Sequence, residues 1–214
     1  MPVTTRQAAK LRRYWDKHAH RYDRQMQFWE RRLFGDTRAW VCQQATGEVL
    51  EVAIGTGLNL DFYPEGVRLT GVDFSPAMLA QARERALKLG RTVELVEGDA
   101  QALGFPDRSF DTVVSTFSLC SVPDDRQAVA EMRRVLRPGG RLLLGDHVAS
   151  SAPWARAVQR LLELVTVPLE EEHFLRRPAE YLPAAGFEIE RQERFKLGIV
   201  ERLAARKPAT NAAG

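Results

Sequence analysis

The sequence has little cysteine, no long apolar run and no marked excess of charge of one sign. Cys42 and Cys120 are the two cysteines in 214 residues. They are too few for a disulfide framework and stand in no CxxC spacing, so a reducing compartment is expected. The longest apolar stretches, Val49–Ile54 and Leu161–Leu169, are short or broken by charge and proline. Neither approaches the roughly 20 residues that cross a bilayer. The opening MPVTTRQAAKLRRYWDKH has no apolar core of a secretory signal, and the expectation is a soluble, cytoplasmic protein. Thirty-one Lys and Arg against 28 Asp and Glu leave a formal charge of only +3, a weak argument for nucleic acid or an anionic surface. No internal repeat and no low-complexity segment stand out before Pro208–Gly214, which is expected to be a flexible tail.

What is present is an ordinary globular composition, 44% hydrophobic and 28% charged, long enough for one domain with a substantial core. Thr5 to Val41 carries a helical pattern of aromatics among many charges, and residues 1–41 are expected to form a helical cap or lid. From Glu48 strands and helices alternate, and residues 42–207 are expected to form the main domain. The apolar runs Gly47–Ile54, Arg68–Phe74, Thr92–Glu97, Phe110–Phe117 and Arg141–Val148 predict five strands. Ser75-Pro76 predicts an N-cap and first helical position before Met78, Leu79, Ala82 and Ala86. Asp124–Leu136 predicts a helix stopped by Pro138-Gly139-Gly140, and Trp154–Val167 another. Phe187–Phe195 and Ile199–Arg206, separated by Lys196-Leu197-Gly198, are too close to be parallel neighbours and predict an antiparallel hairpin on the sheet edge. The sum is an α/β fold with one doubly wound sheet.

The chemistry gathers at strand ends. Gly55 and Gly57 follow the first strand and are expected to lead into a short helix, letting backbone approach a ligand. A structural turn is the plain alternative. Leu60 stands where a dinucleotide fingerprint needs a third small residue, and no lysine follows in P-loop spacing. Asp73 ends the second strand, 18 residues after Gly55, where a carboxylate can accept from a ribose diol. Asp99 ends the third, placed to accept from an adenine amino group. Each alone would serve equally as a cap. Together they imply a nucleoside with little provision for phosphate.

Glu51-Val52-Ala53-Ile54-Gly55-Thr56-Gly57, Val72-Asp73-Phe74-Ser75-Pro76-Ala77-Met78-Leu79, Gly98-Asp99-Ala100 and Val135-Leu136-Arg137-Pro138-Gly139-Gly140 resemble, in order, the motifs of class I S-adenosylmethionine-dependent methyltransferases. The resemblance implies a Rossmann-like, doubly wound seven-stranded sheet with an antiparallel C-terminal hairpin. It implies S-adenosylmethionine as cofactor and S-adenosylhomocysteine as product. Glu51 and Gly55–Gly57 would hold the amino-acid part, Asp73 the ribose, Met78 the adenine face, and Asp99 with Ala100 the adenine edge. Tyr22, Ala53, Thr56, Asn59, Phe74, Gly98, Thr116 and Ser118 complete the expected cofactor-facing set.

Phe62-Tyr63-Pro64, Phe117-Ser118-Leu119-Cys120-Ser121-Val122 and Gly145-Asp146-His147-Val148 are similar to thiol S-methyltransferases and, more loosely, to small bacterial phospholipid N-methyltransferases. No Asn/Asp-Pro-Pro-Tyr motif is present, and a small-molecule acceptor is expected rather than nucleic acid. A phospholipid headgroup and a non-catalytic sensor role are the alternatives; peripheral membrane contact, and monomer against homodimer, stay open. His147 is the candidate base, against a satisfied structural histidine. His20, with His18, is a lid candidate against plain surface exposure. Cys120 is expected as a small apolar wall, and His173 lies in an acidic loop. Tyr14, Trp15, Tyr22, Phe28 and Trp29 line an acceptor pocket or the seam between cap and sheet. Asp16, Asp23, Glu30 and Asp36 beside Arg12-Arg13 and Arg31-Arg32 point to a solvated helix face. No metal is expected.

Overall fold

In the computed structural model, residues 5–170 and 172–209 are described; residues 210–214 of the expected tail lie outside them. Helix α1 (Thr5–Trp29) runs into a π-helical turn over Glu30–Phe34, and α2 (Thr37–Cys42) follows. The strands are β1 (Glu48–Val52), β2 (Arg68–Asp73), β3 (Val93–Glu97), β4 (Phe110–Thr116), β5 (Leu136–His147), β6 (Glu188–Phe195) and β7 (Val200–Arg206). Between them stand α3 (Pro76–Leu89), α4 (Asp125–Val135), α5 (Pro153–Glu170) and the short α6 (Pro178–Tyr181). The strands form one sheet in the order β3-β2-β1-β4-β5-β7-β6. β1 to β5 are parallel, and β7 lies antiparallel between β5 and β6. This is the doubly wound seven-stranded sheet expected, with its hairpin at one edge.

Continuous apolar runs make these strands because helices cover both faces of the sheet. Leu50, Val52, Val113, Leu142 and Leu144 point to one face, packing with Ala128, Val129, Met132 and Val135 of α4. Val49, Leu69, Val114 and Leu143 point to the other, with Val41 and Cys42 of α2 and Leu79 and Ala86 of α3. The Ser75 hydroxyl accepts from the Met78 amide at 3.2 Å, and Pro76 fills the first helical position, as expected. Asp124 caps α4 through the Gln127 amide at 2.9 Å.

Three local expectations are corrected. The helical pattern of Thr5–Val41 breaks at Gly35, whose φ of +57° ends the π-helical turn. Past it, α2 buries Thr37, Arg38, Val41 and Cys42; a Cβ at Gly145 of β5 would stand 2.6 Å from Thr37 Cγ2, so that glycine admits the close approach. Pro138-Gly139-Gly140 does not precede the fifth strand but lies inside it. There Gly139 N–H donates to the Lys207 carbonyl and the Lys207 N–H to the Gly140 carbonyl, both at 2.8 Å, so pairing begins at the sheet end. The segment after Gly57 is a chain of tight turns, not a helix, with Gly57 N–H on Ile54 O, Leu60 N–H on Gly57 O and Phe62 N–H on Asn59 O. Asn59, pulled inward to hydrogen-bond partners beneath, prevents the helical path.

Candidate active site

β1, β2, β3 and β4 end at the same edge of the sheet, and a cavity of about 460 Å³ lies beyond them. β1 leads into it with Ala53 and Gly55, β2 with Asp73 and Phe74, β3 with Gly98, Asp99 and Ala100, and β4 with Phe117 and Ser118. Met78 at the start of α3 lies against it, and Leu11, Arg12, Trp15 and Tyr22 of α1 roof it. Two residues enter with strained backbone. Ala53 and Phe117 hold φ of +57° and +51°, a region that disfavours side chains. Both stand where a strand turns to the cavity, as strain tends to collect at sites.

Asp73 is buried. Its Oδ2 accepts from the Gly55 amide at 2.8 Å and its Oδ1 from the Ser75 amide at 2.9 Å. The carboxylate therefore clips the glycine loop to β2 and keeps two lone-pair directions for a ligand. Burial pushes its pKa up to about 6, against the pull of the Ser75 and Gly55 amides. Asp99, exposed, accepts from the Gln101 amide at 2.8 Å and from Gln101 Nε2 at 3.0 Å.

Glu51, Thr56, Gly57, Asn59 and Thr116 do not line the cavity; they support its floor. Glu51 accepts from Asn59 Nδ2 and from the Tyr63 hydroxyl, both at 2.8 Å. Burial pushes its pKa up to about 7, opposed by Tyr63, Arg38 and Asn59. Arg38, absent from the sequence reading, ties this layer together. Its Nη1 donates to Asn59 Oδ1 at 2.8 Å and to Thr116 Oγ1 at 2.9 Å, its Nε to Glu30 at 2.5 Å, and its guanidinium stacks 4.9 Å over Phe117. Its Nη2 is buried without a hydrogen-bond partner. The nearby Tyr22 hydroxyl is pushed up to about 12 by burial, against the Arg38 charge.

Asp16, Asp23 and Glu30 are half-buried and not a solvated face, whereas Asp36 is exposed. Asp16 accepts from the Ser75 hydroxyl at 2.6 Å, Asp23 from Thr56 Oγ1 at 2.6 Å and from Arg85, and Glu30 from Arg38. Asp36 reaches Arg202 at 2.7 Å. Asp16, Asp23 and Glu30 recur every seven residues, which places them on one helix face. That spacing was the available signal.

His147 ends β5 outside the cavity wall, buried, with its ring 5.0 Å from Phe174 and 6.4 Å from Phe34. Its Nε2 lies 3.3 Å from Glu172, its Nδ1 is buried and unpartnered, and donor atoms of His147, Glu172 and Cys120 lie within 4.8 Å of one another. Burial works against the imidazolium, but Cys120, Glu172 and Asp146 outweigh it and raise the His147 pKa well above the usual value. The Cys120 thiol is pushed up by burial. Thiol, imidazole and carboxylate are also the donor types of a zinc ligand set. Asp146 bridges to the cavity, accepting from the His147 amide at 2.8 Å and the Ser118 amide at 3.3 Å. Glu172 had no sequence signal, since a loop after α5 brings it here. His20 is exposed on α1 and is not brought to the site. His18 Nδ1 is 2.7 Å from the Tyr14 carbonyl, with its ring stacked on Tyr14, and His173 donates its amide to Cys120 O at 2.9 Å. Phe28 and Trp29 are exposed.

Chemically, the carboxylates of Asp73, Glu97 and Asp99, glycine backbone and apolar walls suit a nucleoside with a diol and an adjacent positive charge. Arg12 is the one cation on the wall and is paired with Glu97 at 2.7 Å, which leaves little for a pyrophosphate.

Residues 50–144 match the model of a family described as a methyltransferase domain. The chain is 45% identical over 118 residues to a phosphatidylethanolamine N-methyltransferase of Cereibacter sphaeroides, covering 54% of this chain and 58% of that one. It is 37% identical over 147 residues to the human thiol S-methyltransferase TMT1B, covering 66% and 59%. The chain thus spans less than two thirds of the length of these relatives. A solved S-adenosylmethionine-dependent methyltransferase of Methanosarcina mazei superposes with a TM-score of 0.62 at 25% identity, over 76% of this chain and 92% of that one.

Proposed function

The chain belongs to the class I S-adenosylmethionine-dependent methyltransferases, and from that membership we propose that it methylates a small-molecule thiol, hydroxyl or amine acceptor. The observation that supports this most is the meeting of the Gly55 loop, Asp73 and Asp99 around one cavity with no lysine on its wall. In this reading Asp73 accepts from the ribose hydroxyls and Asp99 from the adenine amino group, while Phe74 and Met78 pack on the adenine. Gly55 lets backbone approach the amino-acid part, and Glu51, Asn59 and Thr116 hold that loop from behind.

The bound cofactor supplies a methyl group already activated on a sulfonium. The protein's part is positioning and exclusion of water. Trp15 and Tyr22 line the cavity on its α1 side. His147, held by Glu172 behind the cavity wall, reaches the site through Asp146, and its raised pKa favours a positive charge there that supports the anionic form of a thiol or phenol acceptor. A lipid amine belongs to the same acceptor class, and the phosphatidylethanolamine N-methyltransferase among the relatives supports including it.

The test is incubation with labelled S-adenosylmethionine and a panel of thiols, phenols and amines, beside calorimetry with S-adenosylhomocysteine and NAD. S-adenosylhomocysteine binding, no NAD binding and label transfer to one acceptor class are expected. S-adenosylhomocysteine binding without transfer across the panel would favour a sensor. NAD binding without S-adenosylhomocysteine binding would remove the reading.

A further inference from the structure

Helix α5 is amphipathic with its faces reversed. Ala155, Gln159, Glu163 and Thr166 recur at helical spacing on the side facing the protein, and three of them are polar. Gln159 accepts from the Ser150 amide at 2.7 Å and donates to the Val148 carbonyl at 2.9 Å. Glu163 accepts from the Leu175 amide at 2.8 Å, and Thr166 donates to the Glu172 carbonyl at 2.9 Å. The opposite stripe is Trp154, Val158, Leu161, Leu162, Val165 and Leu169, all exposed, with Trp154 at 66% and Leu161 at 67%. Rolling the helix to hide that stripe would break the polar contacts that hold residues 148–150 and 172–175, so the apolar face is fixed outward. Among the described side chains of α5, Arg160 is the one exposed charge. Contiguous apolar surface of this kind marks an interaction site.

We propose that α5 is a docking helix for an anionic phospholipid surface, lying in its plane with the stripe in the headgroup boundary. No described helix is long and apolar enough to cross a membrane, so the geometry is that of an in-plane helix. Trp154, at the N-terminal end, is the residue type that anchors at membrane interfaces. The charge argues for lipid over a second copy of the chain. Lys10 donates to the Pro168 carbonyl at 2.7 Å and brings α1 to the C-terminal end of α5. From Lys10 to Arg24, α1 carries six exposed Lys and Arg, of which Arg12 is paired with Glu97 at the cavity, and its two acids there, Asp16 and Asp23, are turned to the sheet domain. Basic residues beside an apolar face favour anionic headgroups. Two copies joined through α5 would bring these like-charged helices together.

The polar side of α5 holds the loop that sets Glu172 and Phe174 against His147. The docked face therefore lies behind the acceptor end of the site, and delivery of a lipid-dissolved acceptor there rests on the methyl-transfer reading; the docking does not.

The test is flotation of the full chain with vesicles of phosphatidylcholine alone and of phosphatidylcholine with phosphatidylglycerol. Binding to the anionic vesicles, weakened by salt and at least tenfold weaker in L161E/V165E, is expected. Circular dichroism verifies that the variant is folded, and calorimetry with S-adenosylhomocysteine keeps the cofactor reading separate. Because both positions are exposed, cofactor affinity should be unchanged in the variant. Failure to bind vesicles, binding unaffected by the substitutions, or a dimer in sedimentation that L161E/V165E dissolves would each overturn the proposal. The last result would make the face an interface between copies. Should L161E/V165E not fold, Arg160→Glu with Lys17→Glu tests the charge half: unchanged flotation overturns the proposal and reduced flotation supports it.

Discussion

Replacing Asp73 by Asn separates the clip that this carboxylate makes to Gly55 and Ser75 from the ribose contact proposed for it. In the folded protein its pKa is pushed up to about 6 from an ordinary 3.8, chiefly by burial. Two units correspond to about 3 kcal/mol. A raised carboxylate means that the folded state holds more protons than the unfolded one. Its favourable contribution is therefore full below pH 4 and is lost as pH rises through about 6. Asn carries no charge and escapes this cost, but it offers one acceptor oxygen to the two amides of Gly55 and Ser75, a loss of roughly 1–3 kcal/mol. The variant should thus match the wild type in urea denaturation at pH 8 within about 2 kcal/mol and be weaker below pH 4, where the wild-type carboxyl is protonated in both states. Cofactor binding should behave differently. A neutral amide with its oxygen already engaged cannot accept from a diol, and affinity for S-adenosylhomocysteine should fall by roughly 1–3 kcal/mol, about 5- to 150-fold. Wild-type affinity should also decline as pH drops below 6, approaching tenfold per unit, while Asp73→Asn stays flat. Isothermal calorimetry between pH 5 and 8 measures both. Affinity of the variant within twofold of wild type, with no pH dependence in either, would refute the ribose assignment and leave Asp73 as a clip for the glycine loop.

His147→Ala should lower turnover at pH 7 by roughly tenfold, the effect of about one unit in acceptor ionisation, with little change in cofactor affinity. The deficit should shrink at high pH, where the acceptor ionises unaided, and an equal loss at every pH would indicate structural support alone. Arg38→Met leaves Glu30 without its partner and Asn59 Oδ1 without its donor, with Thr116 Oγ1 keeping only Asn59 Nδ2, and should cost about 3–5 kcal/mol in urea denaturation. A loss under 1 kcal/mol would mean that the guanidinium is not the tie between cap and sheet. Ala53→Gly removes a side chain from left-handed backbone, a cost of roughly 1–2 kcal/mol, against roughly 0.5–1 kcal/mol of added chain entropy. The net should be a small gain in denaturation midpoint, and a clear loss would show that the Ala53 methyl packs in a way that outweighs its strain.

The alternation of strands and helices was legible because each strand is a closed apolar run and each main helix has a chemical start, as at Ser75-Pro76 and Asp124. The edge hairpin was legible because Lys196-Leu197-Gly198 is too short for a parallel crossover. The cavity residues Asp73, Asp99 and Gly55 were readable for a similar reason, since strand ends in such sheets face ligands. What escaped depended on long-range contact. Arg38 looks like any charge on an amphipathic helix until a glycine at 145 lets α2 press onto β5. Glu172 meets His147 only through two loops that α5 holds. Pro138-Gly139-Gly140 resembles a stop because its extended pairing needs Lys207, nearly seventy residues on. The acids of α1 were visible, but their seven-residue spacing was outweighed by neighbouring arginines.

That spacing has a kinetic consequence. Asp16, Asp23 and Glu30 fasten α1 over the cavity at Ser75, Thr56 with Arg85, and Arg38, like three latches along one edge. If the spent cofactor exits beneath α1, these contacts govern its release, and ions in solution weaken the more exposed Asp23–Arg85 pair more than the largely buried Glu30–Arg38 pair. If release limits the cycle, turnover should accelerate with moderate salt before binding fails, a bell in ionic strength rather than in pH. Each latch can be cut singly, so the clock of the cycle would be adjustable from a helix that takes no part in bond making.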